Sequence, residues 1–132
     1  MNANARESMP AVFHCPKVER AEKTTYLAVV GPDACLLPTQ PREPSDVTDD
    51  PAFTLLIVEV DDPDAVPWTS PRDADPTLAV KVGRDEFKRH EKGSHVAFVD
   101  GSMRSLRGDL PTSTWRAITT IAGGEPLKPG DF

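Results

Sequence analysis

The chain has 132 residues, of which 38% are hydrophobic and 6% aromatic, enough for a single domain over residues 1–132 with one modest core. Its formal net charge of -6 leaves no basic patch to neutralise phosphates, which argues against sequence-independent nucleic-acid binding. No apolar run reaches the roughly 18 residues that a membrane-spanning helix needs, and "MNANARESMPAVFHCP" has no cationic start leading into an apolar stretch, so it is not a signal peptide.

Cys15 and Cys35 match no zinc or redox spacing. Two free, partly buried thiols are the expected state. A Cys15–Cys35 disulfide is the alternative if the protein is extracytoplasmic, where closing that loop would stabilise by about 3 kcal/mol. "TTYLAVVG", Thr24 to Gly31, is rich in β-formers and stops at Gly-Pro, which predicts a strand. Most of the 14 prolines fall between Pro32 and Pro76. The polar stretch from Pro32 to Pro51 is therefore a long loop, of a length that compact domains keep for function or mobility. "FTLLIVEV", Phe53 to Val60, is the most apolar run and is bounded by Pro51 and "DDPD". It predicts a central strand buried on both faces, with Glu59 its only charge.

"VPWTSPRDAD" is irregular, and Trp68 is expected to pack on the sheet, the alternative being a binding surface. "GRDEFKRHEKG" predicts a short helical turn ending at Gly93. In "HVAFVDGSMRSL", two alternating runs flank Asp100-Gly101, a strong hairpin signal. A two-residue type I′ turn there sets Val99 opposite Ser102 and Phe98 opposite Met103, with Val96, Phe98 and Met103 on the core face. In "LPTSTWRAITTIAGGE", Trp115, Ile118 and Ala122 recur at helical spacing, with Thr112 as N-cap and Gly123 as C-cap. The fold class is α+β: a small antiparallel sheet of three to five strands, a C-terminal hairpin and one packed C-terminal helix.

Candidate chemistry centres on His90, His95, Asp100 and Glu59. Asp100, at the hairpin tip, stands roughly 16 Å along the strand from His95 and cannot share a coordination shell with it. Glu59, His90 and His95 are the candidate ligand or metal set; His90 and His95 can approach each other, but two imidazoles with no nearby carboxylate or thiolate make a weak zinc site. In "FHCP", His14 adjoins Cys15, but neighbours in an extended segment point to opposite faces, so His14 is poorly placed to activate the thiol. Ser94, Ser102 and Ser105 lack the elbow of a serine nucleophile. No enzymatic activity and no cofactor are expected. His90 is expected to orient the loop entering the hairpin, and His95 to be an ordinary polar residue at the strand start.

These stretches together resemble a known family. "H…DG" with nine residues between, a Ser-led strand and a terminal "GGE" look like the prepilin-type processing-associated H-X9-DG domain, a large paralogous family of planctomycetes and related bacteria. "VFHCP" is similar to its Val-Phe-Arg-Cys-Pro stretch, and "TTYLAVVGP" to its Thr-x-Tyr-x-x-Val-x-Gly strand. "TLLIVEV" with "VPWTSPRD" resembles its Thr-Ile-Leu-x-x-Glu strand and Val-Pro-Trp-x-x-Pro-x-Asp loop, and "GSHVAFVDGSMRSL" its Gly-x-Asn-x-x-Phe-x-Asp-Gly-Ser hairpin. The match runs in order over about Val12 to Glu125, with His90, Asp100 and Gly101 as the motif residues. His95 stands where the family usually has Asn, and "TDDPAFT" replaces its usual Thr-Asp-Gly-x-Ser-Asn-Thr.

The resemblance implies the C-terminal head of a pilin- or pseudopilin-like cell-envelope protein, with a structural or interaction role and other proteins as partners. Family members begin with a leader and an apolar helix. Neither is present in this sequence, so the expected location is the envelope if such a helix lies upstream and the cytoplasm if the chain is complete, in which case it is a truncated paralogue. The alternative is a small ligand- or cation-binding module. It would use Glu59, His90 and the acidic loops at Asp49, Asp50, Asp61 and Asp62, since some pilin-like heads bind calcium through such loops.

Overall fold

The computed structural model describes residues 3–19, 22–82, 90 and 93–132. The helical turn expected over residues 83–93 lies almost wholly outside the described residues. The fold is α+β, with two antiparallel sheets and three α-helices among the described residues. The main sheet has the order β2-β3-β5-β6, from strands β2 (Tyr26–Ala28), β3 (Leu55–Glu59), β5 (Ser94–Phe98) and β6 (Met103–Leu106). A two-stranded sheet joins β1 (Lys23–Thr24) to β4 (Val66–Pro67). The predicted Thr24–Gly31 strand is thus divided between two sheets. The join is at Thr25, which is fully buried and accepts a hydrogen bond from the Val60 N–H.

The apolar run around β3 is central, as its composition requires, flanked by β2 and β5. A register shift between Leu55 and Ile57 inserts one extra residue. It puts both Leu55 and Val58 on the core face, although three positions separate them, and a β-bulge is the device that permits this. One face of the sheet therefore carries Leu27, Val29, Leu55, Val58, Val60, Val96, Phe98 and Leu106, packed with Trp115 and Ile118 into a single core.

Trp115 and Ile118 come from α3 (Thr112–Thr119), both fully buried. The helix starts one residue earlier than expected: Pro111 is the N-cap, its carbonyl accepting from the Trp115 N–H, and Thr112 is already helical. It also ends earlier, because Thr120 is extended, so Gly123 is no C-cap and Ala122 is exposed while Ile121 is buried. Gly123 and Gly124 instead donate their N–H groups to the Asp49 carboxylate at 2.8 and 3.0 Å. With Thr48 and Asp49 donating to the Ile121 carbonyl, this fastens the end of the 32–51 loop to the segment after α3.

The sequence gives a helix that apolar periodicity alone does not suggest, α2 (Pro76–Val82), which packs against α3. Its start signal is Asp75-Pro76. The Asp75 carboxylate accepts from the Leu78 N–H at 2.7 Å, and proline is preorganised for the first helical position. A short helix α1 (Ala3–Glu7) opens the described chain. Trp68 is not part of the core packed on the main sheet. It is half-buried, stacks on Phe13 at 5.7 Å and donates its indole N–H to the Arg6 carbonyl, so it holds the N-terminal segment in place.

The hairpin forms where expected but in a different register. Ala97, not Phe98, is opposite Met103, and Val96 is opposite Arg104. Within the turn only Gly101 has positive φ, at 84°, whereas a type I′ turn would require it of Asp100 as well. The Gly101 N–H donates to Phe98 and the Phe98 N–H to Ser102, so the loop is three residues long, a type I turn closed by a glycine bulge. The one-residue shift turns Met103 outward, 74% exposed, and Arg104 toward the core face. There its guanidinium lies over Phe53, Phe98 and Phe132, 5.4, 5.3 and 5.6 Å from the ring centres.

Candidate functional site

The second face of the sheet carries a polar row. Tyr26 is paired with Glu59 across β2 and β3, and His95 with Ser105 across β5 and β6. Continuing the register from Val58 opposite Val96 sets Glu59 beside His95. Because side chains alternate along a strand, the residues that project opposite to the core face form this row. Glu59 is nonetheless fully buried, because two segments from outside the sheet cover it.

The first cover is His90. Its Nε2 lies 3.1 and 3.0 Å from the two Glu59 carboxylate oxygens. Its ring stacks on that of His95 with centres 3.9 Å apart, and His95 Nδ1 stands 3.7 Å from Glu59 Oε2. His90 is tied to the start of β5 by the Gly93 N–H, which donates to the His90 carbonyl at 3.1 Å. Gly93 has φ 111°, and a Cβ there would collide with the Leu106 carbonyl oxygen. Only glycine fits that turn.

The second cover is the segment carrying Cys15, a buried free thiol whose Sγ is 3.7 Å from His90 Nε2. Burial pushes the Cys15 thiol pKa up, and hydrogen bonding with the Glu59 carboxylate pushes it further the same way. A backbone hydrogen bond at Lys17 and one from Tyr26 act in the opposite sense. Cys35 is also free and half-buried, so the two thiols do not form the disulfide weighed above. Cys15 is taken up by this cluster instead.

Among the described residues, Cys15, Glu59 and His90 are the one group of metal-ligating side chains whose donor atoms come together, all within 4.8 Å of one another. Of the sequence-derived set, Glu59 and His90 belong to it, and His95 is beside it. Cys15 is the residue that sequence spacing missed, since it is 44 positions from Glu59 and 75 from His90. The visible signal was a cysteine in a short segment just before the first strand. His14 is not its partner: His14 Nε2 meets the Val18 carbonyl at 2.9 Å.

Asp100 is remote from the cluster, its carboxylate accepting from the Ser102 N–H and hydroxyl at 2.8 and 2.6 Å. These bonds hold its pKa below the ordinary carboxylate value. The acidic loops do not converge on Glu59 either. Asp49 is bound to Gly123 and Gly124, Asp50 caps the Ala52 N–H, and Asp61 caps the Asp62 N–H. A separate cleft of about 530 Å³ at the β1 edge is lined by Lys17, Lys23, Glu19 and Asp62 among others, and its mixed charge selects no ligand class.

The wiring of the cluster decides its chemistry. A thiol–imidazole–carboxylate relay uses one ring nitrogen for the thiol and the other for the carboxylate. Here a single atom, His90 Nε2, faces both. The raised thiol pKa likewise keeps Cys15 protonated rather than nucleophilic. No family model matches the chain, and no curated protein or solved structure matches it.

Proposed function

We propose that the chain is a non-enzymatic interaction domain, the head of a pilin-like cell-envelope protein that binds other envelope proteins. The observation that carries this reading is where the family-like stretches meet. "VFHCP", "TTYLAVVGP", "TLLIVEV" and the H…DG segment each contribute one residue to a single cluster: Cys15, Tyr26, Glu59 and His90. Residues that carry a resemblance through four distant segments and then join in space form a structural joint. Such a joint fixes the N-terminal segment and the hairpin entrance to the sheet. The acidic charge of -6 suits an exposed protein-binding surface rather than a nucleic-acid one.

Fractionation of cells that express the natural gene product, followed by immunodetection, tests the reading. Recovery with the envelope, together with cleavage by protease added to intact cells or spheroplasts, is the expected result. Recovery wholly in the cytosolic fraction would overturn it in favour of a truncated paralogue.

A further inference from the structure

We propose that Cys15, Glu59 and His90 form a binding site for one divalent transition-metal ion, zinc being the ion that the donor set fits. The proposal is independent of the envelope reading and rests on the convergence of three donor atoms. Cys15 Sγ is 3.7 Å from His90 Nε2, and that nitrogen is 3.0–3.1 Å from the Glu59 oxygens. Ligands around a tetrahedral zinc, bonded at about 2.0–2.3 Å, stand about 3.3–3.8 Å from each other. The sulfur–nitrogen separation is therefore already in range, while the nitrogen–oxygen contact, at hydrogen-bond length without the ion, opens by a few tenths of an ångström to admit it. The shared Nε2 that defeats a catalytic relay is what coordination requires: each residue offers one atom to a common point.

Charge favours the same ion. One thiolate and one carboxylate neutralise a divalent ion, so the occupied site carries no net charge into the interior. Sulfur and imidazole donors select zinc and its neighbours over calcium or magnesium, which call for several oxygen ligands. On binding, the Cys15 thiol gives its proton to solvent as the S–metal bond forms.

Of the two imidazoles at the site, His95 is the more exposed, its side chain 38% accessible against 16% for His90. Three protein ligands leave a fourth position for water or a partner's donor. His95 is not one of the three. Its ring lies flat against that of His90, and two parallel stacked imidazoles cannot both direct an in-plane lone pair at one ion. It positions His90 and Glu59.

The test uses the full chain carrying Cys35→Ser, in which Cys15 is the only thiol, stripped with a chelator and titrated with cobalt(II) as a spectroscopic probe. The expected result is a thiolate-to-cobalt charge-transfer band that saturates at one equivalent and is abolished by one equivalent of zinc. His90→Gln in that background should weaken binding at least about tenfold, whereas His95→Ala should retain the band. Absence of the band in the Cys35→Ser protein would overturn the proposal, as would loss of the band with His95→Ala but not with His90→Gln. If His90→Gln does not fold, the Cys35→Ser titration still decides the matter, because a thiolate band in that protein has one possible source.

Discussion

The two faces of the main sheet are built on opposite principles. One is an apolar jigsaw: Phe98, Leu55, Val58 and Leu106 interlock with Trp115 and Ile118 from α3, all but completely withdrawn from water. The other holds Tyr26, Glu59, His95 and Ser105, and its most buried member is an acid. The first face derives its stability from area and close packing, which are tolerant of direction. The second depends on a few directed contacts, which fix Cys15 and His90 in place but give little stabilisation beyond the cost of desolvating Glu59. The contrast assigns stability to one face and specificity to the other.

The largest effect that would test this division lies on the apolar face. Trp115→Ala should destabilise by about 3–5 kcal/mol, the range for removing a large buried aromatic, measured by urea unfolding with the slope unchanged. A loss below about 1 kcal/mol would mean that α3 is not what closes the core. On the polar face, Glu59→Gln keeps the shape and removes the charge. In chelator-treated protein it should cost about 1.5–3 kcal/mol, the worth of hydrogen bonds to a charged group. An effect as large as that of Trp115→Ala would erase the distinction between the faces.

How much of this was legible follows from which interactions are local. The central strand, the α3 stripe and the hairpin were readable because period-2 and period-3.6 patterns are carried by neighbours in the chain. Glu59 stood out as a lone charge in an apolar run, and His90 through its spacing to Asp100. Cys15 did not, because its place in the cluster depends on contacts with Glu59 and His90, 44 and 75 positions away in the chain, which no local pattern carries. The α2 start is carried by Asp75-Pro76, a cap signal that the prolines around it mask.

Hairpin register was the subtler miss, and the smallest predicted effect concerns it. Asp-Gly suits a two-residue type I′ turn, yet it also suits a type I turn whose last residue is a glycine at positive φ. The Asp100 carboxylate tips the balance: by accepting from both the N–H and the hydroxyl of Ser102 it stabilises the longer loop. The two registers assign Met103 to opposite faces. In the three-residue loop Met103 is exposed beside Ala97, so Met103→Lys should change stability by no more than about 0.5 kcal/mol. In the two-residue register the same substitution would bury an ammonium against Phe98, at a cost of several kcal/mol. A thermal melt of Met103→Lys therefore separates the two loops directly. A midpoint that does not move also requires Arg104, not Met103, to be the side chain laid over Phe53, Phe98 and Phe132.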